Sequence, residues 1–129
     1  MRFTQKIPFS TVLKVILSSS IALSASISAQ TYPNKPITIV VPFAAGGDAD
    51  QSARNLATVA QNVLKQSIVV VNKGGASGAI GSQFVKDAAP DGYTLLLARV
   101  GSQAVLPAMK NDLSYKWNDF NFIGLLELN

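Results

Sequence analysis

The chain has 129 residues, contains no cysteine and no histidine, and carries a formal net charge of +4 from 11 basic and 7 acidic side chains. This length suits one modest domain. Without cysteine or histidine, a disulfide framework, a thiolate nucleophile, a lipid-modified cysteine, the usual triad base and the commonest zinc ligand are excluded. Neither a metal site nor hydrolytic chemistry is therefore expected.

Residues 1–29 have the anatomy of a secretory signal peptide. They begin with basic residues, continue through a short apolar stretch at 15–23, and end in small residues at Ala29. Serines interrupt the apolar stretch, which is shorter than the roughly 20 apolar residues needed to span a bilayer. We predict export to the periplasm with cleavage near Ala29, so that residues 30–129 form the first segment of a folded domain.

The basic character of the chain belongs mainly to this leader. Its three basic residues account for the difference between +4 for the whole chain and +1 for the remainder; they are Arg2, Lys6 and Lys14. Because nucleic-acid binding needs a clustered basic surface, a nucleic-acid partner is not predicted.

Three continuous apolar runs predict β-strands at residues 37–43, 67–71 and 93–98. Runs without alternation are typical of strands buried on both faces, as in a parallel sheet. With helices and short loops between them, right-handed crossovers predict an α/β fold with a mostly parallel sheet. The three strand-to-helix loops then lie at one edge of the sheet, where open α/β folds bind ligands. Residues 121–126 are predicted to be a further strand or a crossing segment.

The spacing of apolar residues predicts the helices. The first covers residues 49–65, with Asp48 as its N-cap and Gln51 completing a capping box. A second presents an apolar stripe that includes Ile80 and Phe84, and a short third covers residues 103–109. The aromatic residues near the end of the chain are interpreted as packing residues; they are Trp117, Phe120 and Phe122.

The loop at Gly46 and Gly47 is the most informative feature, because a buried strand leads through it into a helix. The first N–H groups of a helix lack internal partners and carry partial positive charge, so such a loop favours an anion. A tight connection without a ligand is the alternative. A second glycine-rich loop at residues 74–81 favours the ligand. Neither loop has the spacing of a dinucleotide or phosphate-binding fingerprint, and no cofactor is predicted.

Four side chains near these loops are candidates for a role in binding. Asp48 and Asp50 serve best as helix cap and dipole partner, and Asp50 could also brace the loop or meet a ligand amine or hydroxyl. The guanidinium of Arg99 could form bidentate hydrogen bonds with a carboxylate, or Arg99 could be a solvated loop residue. Ser102 could donate its hydroxyl and backbone N–H to an anion, or cap the next helix.

An enzyme is the competing class of function. Ser77 or Ser102 could act as the nucleophile of a periplasmic transfer enzyme. The chain has no histidine to serve as base and no G-x-S-x-G elbow, so we predict that the protein is not an enzyme.

Four segments in the same order resemble the extracytoplasmic solute receptors of the tripartite tricarboxylate transporter, the TctC or Bug family. They are YPNKPITIVVPFAAGGDAD (32–50), VVVNKGGASGAIGS (69–82), APDGYTLLLARVGSQAVLPAM (89–109) and YKWNDFNFIGLLE (115–127). The resemblance implies part of a type II-like periplasmic binding protein whose two α/β lobes close over a small carboxylate. Di- and tricarboxylates, acidic amino acids and aromatic acids are the usual ligands.

The resemblance also implies a monomeric receptor that performs no reaction and delivers its ligand to a permease of two membrane subunits. In the family, the loops after the first and third strands contact the ligand carboxylate. Together with the candidates above, this gives a predicted ligand-binding set of Phe43, Ala44, Ala45, Gly46, Gly47, Asp48, Asp50, Arg99, Gly101 and Ser102.

Two departures from the family pattern bear on function. The common family loop reads GGGTD where this chain has Gly46-Gly47-Asp48-Ala49-Asp50, and Arg99 replaces a small residue, which favours a second or third carboxylate on the ligand. Family members are also roughly twice the size of a single small domain. A second lobe is therefore expected to be absent, and a truncated, non-functional remnant is the alternative to a receptor.

Overall fold

The computed structural model describes residues 31–126, so the predicted signal peptide lies outside the described residues. The elements in chain order are β1 (Ile37–Val41), α1 (Asp48–Leu64), β2 (Ile68–Asn72), α2 (Ala79–Lys86), β3 (Thr94–Leu96) and α3 (Leu106–Met109). A π-helical stretch at Gly101–Val105 leads directly into α3, and 3-10 turns cover Ala76–Gly78 and Trp117–Asp119.

The strands form a parallel sheet in the order β2-β1-β3, which confirms the predicted α/β fold. Ile39 at the centre of β1 lies opposite Val70 of β2 and Leu95 of β3. Because both pairings are parallel, the three strands end at the same edge of the sheet. The loop after β1 therefore lies between the loops that follow the two outer strands.

The strands are shorter than the apolar runs predict. β1 ends at Val41 because Pro42 has no N–H with which to continue the ladder. Burial on both faces holds for β1 but is wrong for β2, where Val69 is exposed, and for β3, which is half-buried. Residues 121–126 have no regular secondary structure, so the prediction of a strand there is wrong.

Helix α1 packs on the sheet through small residues. Ala49 and Ala53 join Ile39, Val41 and Leu97 in the buried core. Because alanine side chains are short, the helix axis lies close to β1. The larger apolar residues of α1 are exposed in the described structure, although their helical spacing predicts burial; they are Leu56, Val63 and Leu64.

The start of α1 differs from the predicted capping box. Gly47 is the N-cap and makes no side-chain cap hydrogen bond, while Asp48 is the first helical residue. The prediction that Asp48 caps the helix through a box with Gln51 is wrong. Asp48 and Asp50 both lie in the first turn, where a negative charge interacts favourably with the helix dipole.

Helix α2 buries a different face from the one that its large apolar residues predict. Gly81 and Ser82 are buried, whereas Ile80 and Phe84 are exposed. A Cβ atom on Gly81 would lie 2.8 Å from the Cα of Pro42 and 2.8 Å from the carbonyl oxygen of Lys73. The lack of a side chain at Gly81 therefore allows α2 to lie directly against the end of β1.

The segment after the third loop is held by an aromatic residue that the sequence pattern does not single out. Tyr115 is only 1% exposed, and its hydroxyl donates a hydrogen bond of 2.6 Å to the carbonyl oxygen of Ser102. Its ring packs edge-on against Phe120. Trp117 and Phe122 are exposed, so the interpretation of these two as packing residues is wrong for the part of the chain described.

The Tyr115 hydrogen bond gives a prediction for stability. Replacing Tyr115 with phenylalanine leaves a buried carbonyl without its donor, and we expect a loss of about 1–2 kcal/mol in the free energy of unfolding, measured by urea denaturation. The matched control is Tyr32→Phe, which removes a hydroxyl bonded to the Gly92 carbonyl at an exposed site. Equal losses for the two variants would contradict the importance of burial at Tyr115.

Candidate functional site

The three loops that follow the strands meet at one edge of the sheet. A Cβ atom on Gly78, in the second loop, would lie 2.8 Å from the Cβ of Ser102 in the third loop and 3.4 Å from the ring of Phe43 in the first. This confirms the prediction, from the parallel order of the strands, that the loops share an edge.

An open cleft of about 420 Å³ lies between the first and third loops. It is lined by Phe43, Ala44, Gly47, Asp48, Ala49 and Arg99. Five of these six residues belong to the predicted ligand-binding set, and Ala49 is an addition. Of the other predicted residues, Ala45, Gly46, Asp50, Gly101 and Ser102 do not line the cleft.

Asp50 braces the first loop from beneath. Its carboxylate is buried, with 3% of the residue exposed, and accepts hydrogen bonds from the backbone N–H of Gly46 (2.9 Å), Nε of Arg54 (3.0 Å) and Nδ2 of Asn72 (3.0 Å). Among the predicted roles for Asp50, bracing the loop is confirmed. Both of its oxygen atoms are already engaged, which argues against contact with a ligand amine or hydroxyl.

This environment keeps Asp50 ionised. The hydrogen bond from Arg54, followed by that from the Gly46 N–H, lowers the pKa of Asp50 from 3.8 to about 2, although burial acts in the opposite direction. A carboxylate that accepts several hydrogen bonds is stabilised in its charged form. The first loop therefore rests on a fixed negative charge at neutral pH.

The conformation of the loop depends on Gly46. Its φ angle of +81° lies in the left-handed region, which residues with a side chain adopt at a cost. In this conformation, the Gly46 N–H points to Asp50 rather than to the cleft. The N–H that the sequence offers to an anion at Gly46 is thus used within the protein.

Asn72 connects the first loop to β2. Its side chain donates to the carbonyl oxygen of Phe43 (3.3 Å) as well as to Asp50, and its own oxygen accepts a hydrogen bond from Nη2 of Arg54 (3.4 Å). Sequence reasoning missed Asn72 and Arg54. Two signals were available: Asn72 is the last residue of a strand that ends at the loop edge, and Arg54 follows Asp50 by one helical turn.

Arg99 lies across the cleft from the start of α1. Its Nη2 atom is 2.8 Å from Oδ2 of Asp48, and this ion pair joins the third loop to the first. The Arg99 side chain is 17% exposed, whereas that of Asp48 is 78% exposed. The alternative of a freely solvated arginine is therefore wrong, and the cleft contains one positive and one negative side chain.

Ser102 is fully buried and supports the third loop. Its backbone N–H and its hydroxyl both donate to the carbonyl oxygen of Arg99, each at 3.1 Å. Both donors that the sequence offers to an anion are therefore engaged with Arg99. Gly101 is exposed beside it. The structure gives Ser102 a role in holding the backbone of Arg99, and within residues 31–126 its hydroxyl hydrogen-bonds backbone groups of Arg99 and no side chain.

A buried polar pair lies next to these loops. Nε2 of Gln103 donates to the hydroxyl of Ser82 at 2.8 Å, and both side chains are buried. Oε1 of Gln103 has no hydrogen-bond partner among the described residues. Residues 31–126 bring together no group of three side chains of the types that hold metal ions. None of their helices has the length and apolarity that crossing a bilayer requires.

Comparison with solved structures defines the class of protein. A structure described as a periplasmic transporter superimposes with a TM-score of 0.65 at 48% identity, over 67% of this chain and 29% of the other. MatC from Rhodopseudomonas palustris, solved with bound malate, gives a TM-score of 0.66 at 37% identity, over 69% of this chain and 31% of the other. The described residues therefore have the fold of part of a periplasmic binding protein.

The family follows from the sequence comparisons. Residues 52–128 match the model of the tripartite tricarboxylate transporter family receptor, TctC, and the chain belongs to this family. It is 46% identical over 83 residues to the protein BugT of Bordetella pertussis, covering 64% of this chain and 26% of BugT. A protein of Agrobacterium vitis from the TAR-I ttuE-ttuC' intergenic region is 40% identical over 115 residues, covering 88% of this chain and 33% of the relative. The chain thus spans a third or less of the length of these relatives.

Proposed function

We propose that this chain forms part of the ligand-binding lobe of a periplasmic receptor that captures a small carboxylate for a tripartite tricarboxylate transporter. The observation that carries the proposal is the cleft at the edge of the sheet, where Arg99 faces the N-terminal end of α1. Membership of the receptor family gives the cleft its context. Because the chain spans a third or less of its relatives, the ligand and the transport partner are proposals.

The cleft offers an anion two sources of positive charge, although the carboxylate of Asp48 offsets part of that charge through its pair with Arg99. α1 has 17 residues, and its first N–H groups have no partner within the helix, so partial positive charge is concentrated at Asp48 and Ala49. The guanidinium of Arg99 adds a full positive charge and the planar donor geometry that matches a carboxylate. Phe43 and Ala44 provide an apolar wall for the carbon skeleton of an organic acid.

The malate in MatC supports a carboxylate ligand, because MatC shares the fold over these residues. In our proposal, the leader directs export to the periplasm and is removed near Ala29. The mature receptor acts as a monomer and passes its ligand to permease subunits in the membrane, without performing a reaction.

A binding experiment tests the proposal. We expect the purified chain to bind at least one of malate, succinate, citrate, glutamate or benzoate in calorimetric titration, and Arg99→Gln to weaken that binding about tenfold through loss of a charge-assisted hydrogen bond. Lys110→Gln is the control, because it removes one positive charge from an exposed residue outside the cleft. Absence of binding to every acid, by a chain that melts cooperatively, would contradict the proposal.

The exposed apolar side chains favour a second candidate, a remnant that does not function. Val69 of β2 and, near the end of the described segment, Trp117, Phe122 and Ile123 expose large apolar surfaces. Exposed apolar area contributes nothing to folding stability. A thermal scan without a cooperative transition, together with absence of binding, would favour the remnant over the receptor.

A further inference from the structure

The ion pair in the cleft points to a role for Asp48 that the binding of a carboxylate does not itself require. Asp48 and Arg99 lie on different loops, both line the cleft, and their side chains meet at 2.8 Å. A carboxylate is therefore already present on Arg99, at the position where a carboxylate ligand would find its strongest donor.

We propose that Asp48 determines ligand selectivity by competing with the ligand carboxylate for Arg99. This inference rests on the proposed function, because it requires that the cleft binds a carboxylate. A ligand that reaches the guanidinium replaces the carboxylate of Asp48, which then turns into solvent. Only acids whose own contacts exceed the strength of the internal pair bind well.

The difference in exposure between the two partners supports an exchange. The Arg99 side chain is 17% exposed, and a largely desolvated guanidinium needs an anion beside it. Asp48 is 78% exposed, so its carboxylate regains nearly full hydration when the pair opens. Replacement of Asp48 by a ligand carboxylate would therefore keep an anion beside the guanidinium and return Asp48 to water.

The other contacts of Asp48 also leave it free to move. Within residues 31–126, its carboxylate hydrogen-bonds the side chain of Arg99 alone. After release it would remain in the first turn of α1, where the helix dipole continues to stabilise a negative charge. Asp50, two residues later, is fixed in place instead, because it is buried and accepts hydrogen bonds from three different residues.

The test compares the affinity for malate of the wild-type chain with that of Asp48→Asn and Asp48→Ala. We expect both variants to bind malate about threefold more tightly than the wild type. This is the change in affinity that corresponds to the strength of a partly exposed ion pair. Using two variants guards against a fold defect in one, and a thermal scan of each checks folding. Asp112→Asn is the matched control, because it removes the same charge from an exposed residue outside the cleft. Its affinity should equal that of the wild type.

A second comparison separates competition from simple charge repulsion. In an Arg99→Gln background, Asp48→Asn should not increase the affinity for malate, because the guanidinium for which the two carboxylates compete is absent. Binding in this background is expected to be weak and is measured by the thermal shift at millimolar malate. A gain that persists in this background means that Asp48 acts only through long-range repulsion and overturns the proposal. An unchanged affinity for malate in the single variants overturns it as well.

The amino acid aspartate provides the remaining arm of the test. If the Asp48 variants lose affinity for aspartate while malate binding stays unchanged, Asp48 binds a ligand ammonium group, and the proposed competition is wrong. If the wild-type chain binds none of the acids, the proposed carboxylate function fails first. That result is distinct from a wild type that binds malate but does not respond to substitution of Asp48.

Discussion

Replacing Gly81 with alanine is expected to destabilise the protein by about 3 kcal/mol, at the upper end of the usual range for overpacking. The new methyl group would lie 2.8 Å from the Cα and Cβ of Pro42 and 2.8 Å from the carbonyl oxygen of Lys73. Two of these atoms belong to the backbone, so no change of rotamer relieves the contact. Helix α2 has to move away from β1 instead.

The direction of this effect is informative, because alanine is normally the better helix residue. In the interior of an exposed helix, exchange of glycine for alanine stabilises by roughly 1 kcal/mol. A loss at Gly81 therefore measures the close approach of α2 to the sheet. Urea denaturation followed by circular dichroism gives the free energy of unfolding. The control is Gly124→Ala, where a Cβ atom would have no neighbour within 4 Å.

The same substitution should also weaken ligand binding, because Pro42 immediately precedes the first loop. We expect the strain at Pro42 to be passed to Phe43, the next residue, which lines the cleft. If Gly81→Ala is as stable as the wild type, the separation between α2 and β1 in solution is larger than the structure shows.

Asp50→Asn is expected to lower the melting temperature at neutral pH by on the order of 10 °C, through loss of charge-assisted hydrogen bonds. One amide oxygen can still accept the Gly46 N–H. In the same place it accepts from Nε of Arg54 without the charge of a carboxylate, while the amide NH₂ group takes the position of Oδ1 and faces Nδ2 of Asn72, which is itself a donor. The first loop loses its support, so we also expect weaker ligand binding.

The pH dependence of stability gives an independent test of Asp50. Its pKa is lowered from 3.8 to about 2 in the folded protein, so the unfolded chain binds a proton more readily. The stabilisation is fully present above the unfolded value and is lost as pH falls from about 4 towards 2. Asp87 and Asp91, whose pKa values are lowered by hydrogen bonds from Gln83 and from the Tyr93 backbone respectively, contribute in the same direction.

Thermal scans between pH 6 and pH 2 would measure this dependence. The wild type should lose stability steeply below pH 4, and Asp50→Asn should show a shallower decline from its lower starting value. Asp112→Asn is again the control, because it changes an exposed carboxylate that does not line the cleft. Identical acid profiles for the wild type and Asp50→Asn would show that the brace does not form in solution.

The sheet and its edge could be predicted from the sequence because they depend on patterns within single segments. Continuous apolar runs that alternate with segments of helical spacing imply parallel strands. Parallel strands in turn place the strand-to-helix loops on one edge of the sheet. The buried faces of the helices could not be predicted in this way. α2 buries Gly81 and Ser82, while its large apolar residue Phe84 lies outside with Lys73 Nζ 4.1 Å from the centre of its ring. Close packing selects small residues, which carry no hydrophobic signal.

At the site, the sequence predicts which loops line the cleft better than it predicts the role of each residue. Phe43, Gly47 and Arg99 line it, as the fold implies. Ser102 does not, because its donors turn to the carbonyl oxygen of Arg99. Roles of this kind depend on contacts between residues that are distant in sequence, as between Asp48 and Arg99, and no local pattern encodes them.

The buried carboxylate of Asp50 has a consequence for the conformational entropy of ligand binding in the proposed receptor. Asp50 and Asn72 hydrogen-bond the first loop in the absence of a ligand, so the loop is pre-organised. Binding of the proposed carboxylate would therefore cost little conformational entropy. In the proposed receptor, selectivity would then depend on the exchangeable pair of Asp48 and Arg99, and one or two substitutions there would change the preferred ligand without disturbing the loop.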